Sequence, residues 1–183
     1  MTTEQEMVAG CKAQDRRAQR AVYDRYSPLM LAVARRYLPR DADAEDVLMD
    51  AFFKVFDKIG SFKEDGSFEG WIRRIVVNES LMHLRKKHAL KRATDLTEVN
   101  PSSFAVGARA TEKLAEADIL ALLDKLPIGY RTVFNLYVVE GYKHREIADM
   151  MGISINTSKS QLILAKKRLR AQLLDLGYEN YPA

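Results

Sequence analysis

The chain has 183 residues, 47% of them apolar, and a formal net charge of +4, which suits one ordinary domain or two small ones and argues against wholesale disorder. Its single cysteine, Cys11, excludes an internal disulfide and a cysteine-based zinc site. Because the amino terminus is polar and acidic and no apolar run approaches the roughly 20 residues of a membrane helix, we expect a cytoplasmic protein without membrane insertion.

The first predicted element is a helical hairpin near the amino terminus. Between Tyr23 and Tyr37, large apolar residues recur at spacings of three and four, which is typical of amphipathic helices. Ser27-Pro28 predicts an interruption, since serine caps helices and proline favours the first turn. Leu38-Pro39 is expected to end the hairpin.

Two longer helices are predicted next. The first runs from about Asp43 to Ile59 and ends at Gly60, with a buried face formed by Leu48, Phe52, Val55 and Ile59. Ser67 is expected to cap the second, which continues to about Lys87 and whose inward face contains Phe68, Ile72, Ile75 and Val76. Residues 1–92 are therefore expected to form one helical domain.

The middle of the chain predicts a linker over residues 93–111. Thr94 to Ser103 is rich in turn-forming residues and has too few apolar residues to build a core. Residues 112–183 are expected to form a second domain, where helicity resumes at Ile119, Leu122, Leu123 and Leu126 and stops at Pro127. No segment has the period of a strand, so the predicted fold class is all-α, with two small helical domains joined by a flexible linker.

The second domain contains the strongest local pattern. His144 to Met151 predicts a short helix, Gly152 supplies a left-handed turn residue, and Ser154 can cap a second helix from Ile155 to about Arg170. Apolar residues are placed to pack the two helices together, namely Ile147, Ala148, Met151, Ile153 and Leu162. This spacing is typical of a DNA-binding helix-turn-helix, although a plain helical hairpin with a solvated basic end has similar residues.

Polar side chains on the second of these helices suit a DNA duplex. Those near its start can contact base edges, and the later cations suit phosphates. The early residues are Asn156, Lys159, Ser160 and Gln161, and the later ones are Lys166, Lys167, Arg168 and Arg170.

Two oppositely charged patterns mark the first domain. The tract from His83 to Arg92 contains no acid, and it indicates either a nucleic-acid contact or a solvated helix face. The preceding helix is acidic, and its carboxylates either complement the helix dipole or dock on a basic partner. The acidic helix places Asp43, Asp46, Asp50 and Asp57 on one face, together with Lys54.

Five motifs in this order resemble extracytoplasmic-function (ECF) sigma factors, which belong to the sigma-70 family. The similarity extends from about Ala18 to Leu174. The motifs are Tyr23-Asp-Arg-Tyr-Ser-Pro28, Asp43-Ala-Glu-Asp-Val47, Phe68-Glu-Gly-Trp-Ile-Arg-Arg-Ile75 with Asn78, Leu126-Pro127, and Glu146-Ile-Ala148 with Gly152-Ile-Ser154.

The resemblance implies a division of labour between the domains. Residues 1–92 would be the region 2-like domain, which docks on core RNA polymerase and opens the minus-ten promoter element; its docking candidates are Asp43, Asp46 and Asp50. The loop of residues 61–66 and the following helix resemble the part that recognises the minus-ten element. The candidates for that contact are Phe62, Trp71, Arg74, Asn78, Arg85, Lys86 and Lys87, although Trp71 fits a core position equally well.

The resemblance also assigns the second domain, residues 112–183, as the region 4-like reader of the minus-thirty-five element. Family members often have arginine where this chain has Lys159, Gln161 and Leu164, which predicts a different base preference. The candidate contacts are Asn156, Lys159, Ser160, Gln161, Ile163, Lys166 and Lys167. The implied partners are core RNA polymerase, promoter DNA and an anti-sigma factor.

Two other classes of protein, a free-standing DNA-binding regulator and an enzyme, account for less of this sequence. A free-standing helix-turn-helix regulator explains the second domain but not the basic tract beside an acidic helix, and it predicts tight binding to duplex DNA without polymerase. An enzyme is disfavoured because His83, His88 and His144 lack metal-site spacing and the sequence has no phosphate loop or nucleophile elbow. No cofactor is implied.

Overall fold

The computed structural model describes residues 3–94 and 121–177, with the side chains of 88–94 excepted. The chain divides into two compact units, Met1–Thr94 and Asp95–Ala183. Every regular element in the described residues is helical, which confirms the predicted all-α class. None of the helices within these described ranges combines the length and the apolar character that a bilayer crossing requires.

Unit 1 consists of four α-helices and one short 3-10 helix. They are α1 (Glu4–Lys12), α2 (Arg16–Arg35), α3 (Asp41–Lys58), the 3-10 helix (Ile59–Ser61) and α4 (Phe68–Thr94). The inward faces predicted for the last two α-helices are largely confirmed: Val55, Phe68, Ile72 and Val76 are fully buried, whereas Ile75 is half-buried. Burying each of these side chains stabilises the unit by about 2 kcal/mol, which explains why α2, α3 and α4 pack together.

The predicted interruption at Ser27-Pro28 is wrong. Helix α2 is continuous through Pro28, although a proline inside a helix cannot donate the backbone hydrogen bond to the fourth residue before it. Val22, Tyr26, Met30 and Val33 are all buried along the same helix. Their packing against the rest of unit 1 outweighs the lost hydrogen bond, so tertiary contacts override the local signal.

Unit 2 packs its other elements against one long helix at its carboxyl end. Its described elements are a helical turn at 121–124, α5 (Ile128–Phe134), a π-helical turn (Asn135–Val139), α6 (His144–Met151) and α7 (Ile155–Asp175). Leu123, Leu126 and Ala165 form a buried cluster, against which Tyr130, Phe134 and Leu169 pack. The buried guanidinium of Arg131 pairs with Asp124.

Part of the predicted linker is helical. Residues 93 and 94 still belong to α4, so that helix continues beyond its predicted end near Lys87. Residues 95–111 and Ile119 lie outside the described residues. The predicted flexible linker therefore stays a prediction.

Candidate polymerase and nucleic-acid interfaces

The turn between α6 and α7 has the geometry that its sequence predicts. Gly152 adopts the left-handed conformation with φ 65° and ψ 37°, where a side chain would be strained. Two residues later, the Ser154 side chain accepts a hydrogen bond from the Thr157 backbone amide at 2.9 Å and caps α7. The left-handed glycine and the serine cap together fix the turn between α6 and α7, which gives a helix-turn-helix.

Small and apolar side chains fill the contact between the two helices. Ile147 and Ala148 of α6 are buried, as is Leu162 of α7. The His144 ring lies within hydrogen-bond distance of the buried Ser158 hydroxyl, with 2.9 Å between Nδ1 and Oγ. The inward side of α7 is therefore committed to packing, and its opposite side is left for a partner.

That outward side of α7 is polar and cationic, with one exception. Residues at helical spacings of three and four share this face, and all are exposed: Asn156, Lys159, Ser160, Ile163, Lys166 and Lys167. None of its lysines makes an ion pair with another residue in the part of the chain that the structure describes. Ile163 lies near the centre of this face and is 66% exposed. We call these six residues the α7 face.

Gln161 lies off the α7 face, and its predicted DNA contact stays a prediction. A Cβ atom on Gly129 would lie only 3.2 Å from the Gln161 side-chain amide nitrogen, so Gln161 packs against α5. Its side-chain oxygen is buried. The physical reason is angular: Gln161 follows Ser160 by one residue, which rotates it by about 100° towards the core of unit 2.

Helix α4 carries a second candidate surface. Four of the predicted minus-ten residues recur at spacings that place them on one side of the helix, and they are exposed or half-buried: Trp71, Arg74, Asn78 and Arg85. We call them the α4 stripe. Lys86 is exposed beside it. The stripe combines an aromatic ring for stacking, an amide for hydrogen bonding and two cations.

Phe62 lies in the core of unit 1, and its predicted DNA contact stays a prediction. Its side chain is 7% exposed, and its ring centroid is 5.1 Å from that of Phe68 and 5.4 Å from that of Trp71. Trp71 stacks on Phe68 at 5.9 Å but stays half-buried. Trp71 thus has one side in the aromatic cluster and an edge at the surface, which combines the two interpretations that its sequence context allowed.

Asp43 and Lys87 pair with each other in the chain, and their predicted docking and DNA contacts stay predictions. The Lys87 ammonium donates to the Asp43 carboxylate at 2.7 Å, and the Asp43 side chain is only 13% exposed. The imidazole of His83 and the guanidinium of Arg40 lie 3.7 and 3.9 Å from the same carboxylate. Asp43 is therefore largely covered by cations of its own unit, and Lys87 faces α3 rather than the α4 stripe.

The pKa of Asp43 records this environment. Burial alone would raise the pKa of the carboxyl, because it penalises the charged form. The hydrogen bond from Lys87 and the positive charges of Lys87, Arg40 and His83 outweigh the burial, so the pKa lies below its ordinary value. Asp43 is consequently ionised at neutral pH and stabilises the α3–α4 contact.

Helix α3 presents an exposed stripe that includes the other two docking candidates. Asp46 and Asp50 are exposed, and two large apolar side chains accompany them, Met49 at 60% and Phe53 at 75% exposure. Met49 and Phe53 were not among the site residues predicted from the sequence. Their spacing from Asp46 by three and seven residues, outside the apolar positions of the buried face, was the available signal. We call these four residues the α3 stripe.

Comparison with known proteins identifies both units. Residues 22–89 match the family model described as Sigma-70 region 2, and residues 116–169 match the one described as Sigma-70, region 4. The ECF RNA polymerase sigma factor SigM of Mycobacterium tuberculosis is 32% identical over 175 residues, which are 96% of this chain and 85% of that protein. The chain belongs to the sigma-70 family, in its ECF group.

Two further relatives agree. The ECF RNA polymerase sigma-E factor of Escherichia coli is 25% identical over 91% of this chain and 92% of its own length. Among solved structures, the sigma factor RpoE of Bartonella quintana, in a complex with the anti-sigma factor NepR, has a TM-score of 0.57 at 24% identity and covers 85% of this chain and 96% of its own. This structural likeness supports the fold.

The matched ranges contain all three candidate surfaces of this ECF sigma factor. Its region 2 match includes the α3 and α4 stripes, and its region 4 match includes the α7 face. Its function is that of a sigma factor in promoter-specific initiation of transcription. Its relatives are transcription factors rather than enzymes. No cluster of potential metal ligands occurs within residues 3–94 and 121–177.

Proposed function

We propose that this sigma factor docks on core RNA polymerase through the α3 stripe. The observation that carries the proposal is the exposure of Met49 and Phe53 next to Asp46 and Asp50. Exposed large apolar side chains bordered by charged ones are typical of protein–protein interfaces. Large apolar side chains that are this exposed are costly in water unless a partner covers them.

The α4 stripe is then the surface that contacts the opened minus-ten element. An unstacked base needs an aromatic or planar side chain to replace its lost stacking, and Trp71 offers an edge at the surface for this. Asn78 can hydrogen-bond to base edges, while Arg74, Arg85 and Lys86 suit phosphates. Phe62 and Lys87 are no longer part of this site because both are used within unit 1.

The α7 face is proposed to recognise the minus-thirty-five element as a duplex. Asn156, Lys159 and Ser160 lie in the first two turns of α7, the part of such a helix that enters the major groove. Lys166 and Lys167 follow at positions that suit the phosphate backbone. Gln161 is left out because it packs against α5.

An anti-sigma factor is proposed as a second protein partner, by analogy with the Bartonella quintana sigma factor that was solved with one. In unit 2, three consecutive apolar residues are exposed by between 40 and 49%, namely Tyr137, Val138 and Val139. They offer a docking surface for polymerase or for that regulator. Because polymerase and promoter DNA lie in the cytoplasm of bacteria, the proposed site of action is cytoplasmic.

The deciding experiment exchanges two charges on the α3 stripe. Asp46→Lys together with Asp50→Lys is expected to lower affinity for sigma-free core polymerase at least 100-fold, because charged pairs at an interface become repulsive. The measurements are co-elution with core polymerase and start-site-specific transcription from a library of duplex promoters. The wild type is expected to co-elute and to produce specific transcripts.

A control changes the net charge equally but leaves the α3 stripe intact. Glu45→Lys and Asp175→Lys replace exposed acids outside the stripe, and this variant is expected to retain core binding. Equal losses in both variants would contradict docking through the stripe. Tight, specific duplex binding by the chain alone, without co-elution of the wild type, would instead favour a free-standing regulator.

A further inference from the structure

The loop of residues 62–67, which connects the 3-10 helix to α4, is fixed at its two ends. Phe62 anchors the first end in the aromatic cluster. At the other end, the Ser67 side chain accepts a hydrogen bond from the Gly70 backbone amide at 3.1 Å. The intervening side chains are exposed, namely those of Lys63, Glu64 and Asp65. The centre of the loop therefore lacks packing of its own.

Glu64 nevertheless has an unusual backbone conformation, with φ +60°. This left-handed region is unfavourable for residues that carry a side chain, because Cβ approaches the following carbonyl oxygen. A glutamate in this region raises the free energy of the loop, which favourable interactions of the same residue can offset. The Lys12 ammonium supplies one: it donates to the Glu64 carboxylate at 2.5 Å, across 52 residues of sequence.

Lys12 extends from a helix that is firmly held. Met7, Val8 and Cys11 of α1 are buried in unit 1. Gly10 permits close approach of α2, since a Cβ there would lie 2.5 Å from the Cβ of Ala18. Helix α1 is therefore a rigid support for the lysine, whereas the loop that Lys12 contacts is not rigid by itself.

We propose that Lys12 is a positioning residue for promoter recognition, which acts by holding the 62–67 loop through Glu64 in the conformation that recognises the minus-ten element. The inference rests on the minus-ten recognition that the family resemblance implies for this loop and on the proposed function of the α4 stripe next to it. It adds α1 to the recognition machinery, although α1 precedes the region 2 match, which begins at residue 22. Promoter discrimination would thus depend on a helix that touches no DNA.

The first test measures loop order in the free chain by NMR relaxation. Lys12→Ala is expected to lower the amide order parameters of residues 63–66 from about 0.85 to below about 0.6, while those of α4 stay unchanged. Lys12→Arg and the charge exchange Lys12→Glu with Glu64→Lys are expected to keep the loop ordered. Arg20→Ala is the matched control, because it removes another exposed ion pair, that with Asp24 in α2.

The second test measures discrimination by the full chain with core polymerase. Transcription is compared between a promoter with the preferred minus-ten element and its single-base variants. Lys12→Ala is expected to lower this ratio about threefold, in keeping with the modest strength of an exposed ion pair. Lys12→Arg and the charge exchange are expected to keep the discrimination ratio of the wild type. The affinity for core polymerase is expected to be the same in all of these variants.

The two tests separate this inference from the proposed function. Unchanged order parameters in Lys12→Ala would overturn the positioning role, whatever polymerase does. A mobile loop with an unchanged discrimination ratio would overturn the link to recognition. If the wild type with core polymerase gave no specific transcripts, the proposed function and the link to recognition would both fall, while the order parameters would still decide whether Lys12 holds the loop.

Discussion

The cations near α4 and those of the α7 face differ in whether an acidic residue pairs with them. Next to the α4 stripe, Lys87 pairs with Asp43, and Glu79 of α4 pairs with Lys54 of α3, each at 2.7 Å. On the α7 face, Lys159, Lys166 and Lys167 have no acidic partner among the described residues. Lys54 and Lys87 are therefore neutralised by acids within unit 1, whereas the lysines of the α7 face leave an uncompensated positive charge on unit 2.

This difference separates folding from binding. In unit 1, the Lys87–Asp43 and Lys54–Glu79 ion pairs connect α3 to α4, so substitution of one of these paired charges is expected to lower stability. In unit 2, the fold depends on the apolar inner side of α7, and the outer lysines contribute little to it. Substitutions on the α7 face are thus expected to change DNA binding alone.

The strongest test of this comparison removes the cations of the α7 face. Replacing Lys159, Lys166 and Lys167 with alanine is expected to weaken binding to a duplex minus-thirty-five element on the order of 100-fold near 0.1 M salt. The reason is that binding releases fewer counterions from the DNA when fewer phosphates are neutralised. The slope of log affinity against log salt should become shallower by about 2, since Lys166 and Lys167 are the proposed phosphate contacts. Filter binding or anisotropy measures both quantities for the polymerase holoenzyme.

The same triple variant is expected to retain its stability. Exposed substitutions away from packed features usually change the unfolding free energy by less than about 0.5 kcal/mol, which chemical denaturation resolves. A loss well above this value would show that the α7 lysines support the fold, and the contrast between the two units would disappear. A weakened affinity with an unchanged salt slope would contradict phosphate contact.

A smaller effect is expected at the apolar centre of the α7 face. Ile163 suits the C5-methyl group of thymine, which is the apolar feature of the major groove. Replacing a contacted thymine with uracil removes that methyl group and is expected to weaken binding by the wild type about fourfold, since a buried methyl group contributes about 0.8 kcal/mol. Ile163→Ala is expected to bind the thymine and uracil duplexes equally.

Leu174→Ala is the matched control for Ile163, because Leu174 is also exposed but lies at the far end of α7. This variant should keep the preference for thymine. If uracil substitution at each thymine of the element had no effect on the wild type, Ile163 would have no role in base recognition. The α7 face would then bind through its polar and charged residues alone.

The sequence predicted the structure best where a conformation depends on residues that are close together along the chain. The helix-turn-helix could be predicted because a glycine in the left-handed turn, a serine cap and the apolar spacing are all local features. The buried faces of α3 and α4 followed from helical periodicity. The continuity of α2 through Pro28 did not, because packing with the rest of unit 1 decides it.

The candidate sites were less predictable because each side chain has a second possible use. Lys87 has the positive charge that a phosphate contact needs. Its partner Asp43, however, lies 44 residues earlier and is brought close only by folding. Phe62 and Gln161 face the same problem: their chemistry suits nucleic acid, and only the packed structure shows that neighbours already cover them. Met49 and Phe53 present the converse case, apolar residues that folding leaves uncovered.

The last prediction concerns the ion pair between Asp43 of α3 and Lys87 of α4. Asp43→Asn is expected to lower the free energy of unfolding at pH 7 by about 1 kcal/mol, since it removes the charge that Lys87, Arg40 and His83 surround. Because the pKa of Asp43 is lowered in the folded chain, this stability is present above the unfolded-state pKa of about 3.9 and is lost as the pH falls through the folded value. Urea denaturation of both proteins between pH 7 and pH 3 measures the difference.

The wild type and Asp43→Asn should therefore converge in stability towards pH 3. A double-mutant cycle with Lys87→Gln isolates the pair, and its coupling energy should decrease over the same pH range. A difference that stayed constant with pH would mean that asparagine disturbs packing rather than charge. Lys159→Gln, made in parallel, should leave stability unchanged at every pH, because the α7 lysine has no described acidic partner to lose.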